Sequence, residues 1–341
     1  MSIMKKSCSS ASKRKGRFIR PVLACLAAWP LLLAADQAAV LKLNELEYFE
    51  TQGVNVLAFS NWYNGLFDDS KISGIEIIHH GVRTGTNGDV RLHATPEQWD
   101  AIPEFVEREV DRETGTVTAR LRYPQHDFEY AIETRARDGA VVISVHLPEP
   151  LPQALVGHAG FNLEFLPAAY FGKAFLADSH SGLFPLYPTG PKESDDGVAP
   201  EPLASGQRLT LAPGDPQRKV TIESEDGHLA LFDGRAKAQN GWFVVRGLLP
   251  ADREGRVLSW SLTINPVANW KRQAVIGHSQ LGYHPGQDKK AVIEMDPNSG
   301  EKGQARLLRL SADTPPAEVL ATEPEPWGRY KRYAYRVFDF S

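Results

Sequence analysis

From Val40 onward the chain sets short apolar or alternating runs between turn residues, and no helical periodicity is sustained over a dozen positions. This is the pattern of stacked antiparallel sheets. Residues 55–60 and 74–79 read as early strands, with Thr86-Asn87-Gly88-Asp89 as the turn after the second. Residues 105–110 and 116–123 flank Asp111-Arg112-Glu113-Thr114-Gly115, a hairpin turn in which Gly115 supplies a positive φ. Residues 128–135 and 140–147 repeat the design around Arg137-Asp138-Gly139. Residues 185–206, rich in Pro, Gly, Ser and Asp, lack periodicity and read as a long loop. Strands resume at 208–211, 219–223, 229–232, 242–246 and 257–264. The expected fold class is therefore all-β: a large antiparallel β-sandwich over residues 40–267, a connector at 266–270 and a second module over 274–341. That module carries strands at 291–294, 305–310, 318–321 and 330–340.

The first 35 residues follow a different pattern. Lys5, Lys6, Lys13, Arg14, Lys15, Arg17 and Arg20 precede the apolar run VLACLAAWPLLLAA at 22–35, which ends in small residues before Asp36. Basic, apolar and small-residue segments in that order form a secretory signal, and the run is too short for an obvious spanning helix. Residues 1–35 are expected to be removed near Ala35, and the protein to be periplasmic or extracellular. Without them, 31 Lys and Arg stand against 42 Asp and Glu, a formal net charge of −11. Such a surface repels nucleic acid and anionic membrane. Both cysteines, Cys8 and Cys25, leave with the signal, so the exported chain has no disulfide, thiol nucleophile or thiolate metal site.

The stretch 275–296 carries the most specific signal. Ser279-Gln280-Leu281-Gly282-Tyr283-His284-Pro285 is a turn, and Lys289-Lys290-Ala291-Val292-Ile293 a strand that follows it. Together they resemble the opening of the immunoglobulin-like module that precedes the catalytic barrel in glycoside hydrolase family 9, the cellulase and endoglucanase family. The segments 87–92, 156–164 and 240–246 resemble, less specifically, the extra N-terminal β-domain of some large bacterial members. The resemblance implies a parent that hydrolyses β-linked glucan, with this chain supplying accessory β-domains. A complete immunoglobulin-type sandwich needs about seven strands over roughly 100 residues. The module is therefore expected to lack its last one or two strands, and the helical catalytic barrel to be missing.

The chemistry legible along the chain agrees with an accessory role. An inverting glycosidase needs two carboxyl groups about 6.5–9.5 Å apart. The family's Asp-Ala-Gly-Asp motif does not occur, and the adjacent acids Asp68-Asp69 and Asp195-Asp196 sit in loop-like surroundings. No catalytic residue is assigned. Gly277-His278-Ser279-Gln280-Leu281-Gly282 misses the spacing of a nucleophile elbow. His79-His80, Asp178-Ser179-His180 and Asp296-Pro297-Asn298 are fragments of metal-ligand patterns without the further ligands a site requires. No metal or other cofactor is expected.

Aromatic side chains are the remaining candidate surface, because the axial C–H faces of sugar rings stack on flat rings. Trp62 and Tyr63, set among Asn61, Asn64 and Gly65, are the first candidates; Trp99 and Trp327 are further loop aromatics, while Trp242 and Trp260 fit a core. The expected partner is β-glucan or another polysaccharide. Two alternatives remain: a free-standing carbohydrate-binding or cell-surface protein, and a mutarotase-like sugar enzyme, which would require clustered His and Glu in one cleft.

Overall fold

The computed structural model describes residues 40–63, 71–96, 100–188, 192–193, 199–237, 241–300 and 303–341. The chain is nearly all β. Two nine-stranded antiparallel sheets dominate. Sheet I runs, edge to edge, through Lys42–Leu43, Phe49–Thr51, Val54–Ala58, Ile75–His79, Val82–Arg91, Gly160–Phe165, Phe243–Leu248, Leu229–Asp233 and Pro202–Gly206. Sheet II runs through His180–Leu183, Ala174–Ala177, Arg208–Leu211, Val220–Ser224, Gly255–Ile264, Ala140–Leu147, Phe128–Arg137, Thr116–Tyr123 and Glu104–Asp111.

Period-two alternation explains how the sheets pack. Val54 and Val56, Ile75 and Ile77, and Phe161, Leu163 and Phe165 share one core cluster with Val141, Ile143 and Val145, and with Trp260, Leu262 and Ile264 from the other sheet. Trp260 has no exposed surface, lies opposite Ile143 in the ladder and meets Phe161 edge-on at 4.9 Å. Fully burying one such side chain contributes about 1.5–3 kcal/mol, so this layer is the main stabilising element. The hairpin turns fall where glycine permits them, with Gly115 at φ 67° and Gly139 at φ 79°.

Two sequence expectations need correction. Thr86-Asn87-Gly88-Asp89 is no turn; it lies inside the ten-residue strand Val82–Arg91. The turn residues there make an irregularity in the ladder with Ile75–His79, where Asn87 takes φ 50° and the register shifts between Ile75 and Ile77. The segment 185–206 is not wholly loop: Pro202–Gly206 is the edge strand of sheet I, antiparallel to Leu229–Asp233. Pro202 is compatible with that position because an edge strand is hydrogen-bonded on one side only.

Beyond the connector, Val275–Gly277, Lys290–Met295, Tyr333–Asp339 and Glu325–Tyr330 form a four-stranded antiparallel sheet in that order, and Ala305–Arg309 pairs with Ala317–Thr322. Its core is small: Ala291, Ile293 and Phe338, with Met295, Ala305, Leu307 and Phe340 against them. Tyr333–Asp339 falls within the strand expected at 330–340, and it pairs with Glu325–Tyr330, a strand the sequence reading does not include. The signal assignment, residues 1–35, lies outside the described residues. Among the described residues no helix is long and apolar enough to cross a membrane.

Candidate functional site

The same alternation that sends apolar residues inward places polar ones on the outer face of sheet I. With Ile75 and Ile77 in the core, Glu76 faces out; with Phe161, Leu163 and Phe165 inside, Asn162 and Glu164 face out; with Phe243 and Val245 inside, Arg246 does too. These strands are neighbours through Val82–Arg91, so the outer face becomes a ribbon of acids, amides and guanidinium groups. Glu76, although buried, accepts hydrogen bonds from Asn61 Nδ2 at 2.5 Å, Tyr63 Oη at 2.6 Å and Arg83 Nη1 at 3.2 Å. Arg83 also donates to the Tyr63 hydroxyl. Further along, Asn87 Nδ2 donates to Glu164 Oε2 at 2.6 Å, and Arg246 Nη1 to Asn162 Oδ1 at 2.5 Å.

Trp62 and Tyr63 stand at one end of this ribbon. They form a two-residue strand paired with Lys71–Ile72, and remain 57% and 37% exposed. Trp62 meets Phe105, on the edge strand of sheet II, edge-on at 5.6 Å, which anchors one margin of the indole. The Arg83 guanidinium lies 5.4 Å from the centre of the Tyr63 ring. Burial, then the hydrogen bond and charge of Glu76, raise the Tyr63 hydroxyl above its ordinary pKa, with Arg83 opposing. The phenol is thus held as a neutral donor, and Trp62 offers a stacking surface beside a fixed set of hydrogen-bonding groups. Trp99, the third candidate, lies outside the described residues.

The other sequence candidates are placed as follows. Trp327 is 67% exposed, on the strand Glu325–Tyr330; Trp242 is half-buried, and Trp260 is fully in the core. His79 and His80 are buried and stacked at 4.5 Å. The Asp178 carboxylate accepts from the backbone N–H groups of Gln207 and Arg208. Asp296 accepts from those of Asn298 and Arg272, an Asx turn that explains its oxygen donors without a metal. Among the described residues no group of three His, Cys, Asp or Glu side chains could hold a metal ion. Asp68-Asp69 and Asp195-Asp196 lie outside the described residues.

Sequence reading missed Glu76, Arg83, Glu164 and Arg246. Their signal was present as polar residues at every second position of otherwise apolar strands, GIEII and GFNLEF above all, which marks a second, functional or covered face. Arg246 is only 2% exposed. Its guanidinium also donates to the backbone carbonyls of Arg91, His93 and His158. Burial pulls its pKa down to about 10, with the charge of Arg91 adding and Asp100 opposing, so it keeps its proton at neutral pH. The neighbouring buried cation Arg91 has Asp89 at 4.0 Å. Glu76, Asn162 and Arg246 are buried and bonded within the protein, so the groups open to a ligand on this face are Trp62, Tyr63 and the Arg83 side chain that the buried Glu76 holds in place. No protein-family model matches the chain, and no curated protein matches it either.

Proposed function

We propose that this protein is a glycan-contacting accessory β-module of an exported, family-9-type glycoside hydrolase, gripping β-glucan at Trp62 and Tyr63. The observation that carries the glycan contact is the 57% exposure of Trp62 beside Tyr63 and the Asn61–Glu76–Arg83 hydrogen-bond cluster. An exposed indole fixed by one edge contact loses little side-chain freedom on binding, so its stacking is retained as affinity. The parent-family part rests on the 275–296 turn and strand. It rests further on the less specific resemblance of the segments 87–92, 156–164 and 240–246.

The test is titration calorimetry with a soluble β-1,4-gluco-oligosaccharide. Trp62→Ala is expected to weaken binding by about 1–3 kcal/mol, roughly 5- to 150-fold in Kd. Tyr63→Ala is expected to act in the same direction, because it removes both a ring and the donor to Glu76. Undiminished affinity in both folded variants, or no binding by the wild type, would remove this surface from the function.

A further inference from the structure

A cleft of about 450 Å³ lies between the outer face of sheet I and the second module. Its volume falls within the range of about 300–1,000 Å³ typical of small-molecule sites, which favour such junctions. Sheet register builds its floor: Lys42 stands opposite Glu50, Glu50 opposite Asn55 and Asn55 opposite Ile78, on the face away from the core residues Val54 and Val56. Trp270 and Arg272, where the connector meets the second module, form one wall. Their seat is Gly53 and Gly81, where a Cβ would stand 2.9 Å and 3.5 Å from the Trp270 ring, and Gln52 Nε2 donates to the Trp270 carbonyl at 3.2 Å. Asp296, Arg332 and Tyr333 of the second module supply the other wall. It is tied to the first by the Arg272 N–H, which donates to Asp296 Oδ2 at 3.0 Å, and by the Arg272 guanidinium, 4.5 Å from the centre of the Tyr333 ring. The walls are therefore fixed by the protein's own contacts.

Charge narrows the ligand class. Both Asp296 oxygens accept backbone N–H groups, from Arg272 and Asn298, and Glu50 accepts from Asn44 Nδ2 at 2.8 Å. Arg272 pairs with Glu294 at 2.6 Å. Lys42, Lys271 and Arg332 also line the cleft, and none of them has an ion-pair partner among the described residues; Arg332 meets only the Tyr333 hydroxyl and ring. Four cations thus stand against two acids, in a chain that carries a formal net charge of −11 from residue 36 onward. A cationic cleft in an acidic protein concentrates anions from solution. The Asn55 side chain, also without a partner among the described residues, adds a donor and an acceptor for hydroxyl groups, and Trp270 and Ile78 add apolar surface. A bare anion would leave the amide and the apolar surface unused; a neutral sugar would leave three cations without a counter-charge.

We infer that this cleft binds a short acidic oligosaccharide of the uronate class, with its carboxylates on Lys42, Lys271 and Arg332, a hydroxyl bonded to the Asn55 amide, and an apolar ring face against Trp270. None of Asn61, Trp62, Tyr63, Glu76 and Arg83 lines the cleft, so this site stands whether or not that surface binds β-glucan.

Titration calorimetry of the full chain with trigalacturonate, cellotriose and citrate tests it. Trigalacturonate is expected to bind about tenfold or more tightly than either of the others, since cellotriose lacks the charges and citrate the rings, and to bind more weakly as salt is raised. Lys42→Ala combined with Lys271→Ala removes two exposed counter-charges and should lower trigalacturonate affinity about tenfold or more, with the melting temperature close to wild type. Arg135→Ala, which removes an exposed cation without an ion-pair partner on the strand Phe128–Arg137 of sheet II, should leave that affinity unchanged, as should Trp62→Ala. No binding of trigalacturonate by the wild type overturns the inference, as does equal affinity for cellotriose or for citrate. Full affinity in the folded double variant, or a loss in Arg135→Ala or Trp62→Ala that matches the double variant's, would place the ligand elsewhere and overturn it too.

Discussion

Gly74→Ala is expected to destabilise the sandwich by about 3 kcal/mol, at the upper end of the usual cost of overpacking, although it adds a single methyl group. A Cβ at Gly74 would stand 2.2 Å from the Gly88 carbonyl oxygen and 2.7 Å from its carbon. Both obstacles are backbone and cannot rotate aside. A Cβ on Gly88 would in turn meet Ile75 Cβ at 2.6 Å, so the two chains touch at this crossing. Relief requires the strands Ile75–His79 and Val82–Arg91 to separate, at the register pair Ile75 and Gly88, and loosens the Phe59 N–H to Gly74 carbonyl bond beside it. Gly115→Ala is the control. There nothing lies within 4 Å and only the φ of 67° opposes a side chain, at a cost of about 1–2 kcal/mol. Denaturant midpoints of both variants check the ranking. A Gly74→Ala midpoint equal to wild type, or above that of Gly115→Ala, would show that the strands accommodate the methyl.

The same crossing shows how far the sequence could be read. Alternating apolar runs disclosed an all-β chain and most of the strands of sheet II, because hairpins such as the one around Gly115 are local and their turn residues sit between their own strands. Sheet I is assembled from distant pieces: Gly160–Phe165 pairs with both Val82–Arg91 and Phe243–Leu248. Nothing local announces such neighbours. Asn87-Gly88-Asp89 mimicked a turn because a bulge and a turn call on the same residue types for positive φ and close approach. Trp62 and Tyr63 were legible as loop aromatics. Their partners Glu76 and Arg83 were not, since a lone acid within GIEII signals an outward position but not the hairpin that folds across it. Arg246 was hidden in the same way, inside a strand otherwise apolar.

Acid is expected to weaken the protein at His79 and His80, whose rings stack at 4.5 Å where the sandwich meets its connector. His79 Nε2 lies 2.8 Å from the Asn265 carbonyl and must donate to it, which leaves Nδ1 as a buried nitrogen without a partner. His80 Nδ1 donates to the Gln217 carbonyl at 3.1 Å, and its other nitrogen is likewise orphaned. Its ring also meets Trp270 edge-on at 5.0 Å. A second proton on either ring would have no acceptor. Burial lowers the His79 pKa from 6.5 to about 4, helped by the neighbouring His80 and Arg218 and opposed by the Asn265 bond and Asp215; burial lowers His80 as well. The unfolded chain therefore takes up protons below about pH 6.5 that the folded chain refuses until about pH 4. Above pH 6.5 the rings are neutral in both states and add no pH dependence to stability; between pH 6.5 and pH 4 stability falls as pH falls, by about 1.4 kcal/mol per pH unit for one such group. For His79 alone the loss reaches about 3 kcal/mol. His79→Gln retains a donor for Asn265 but no titrating group, so its stability is expected to decline less over this interval than that of wild type. Urea midpoints at pH 7.5, 6, 5 and 4.5 measure the difference, and parallel declines in the two proteins would show that the buried pair does not govern the acid response.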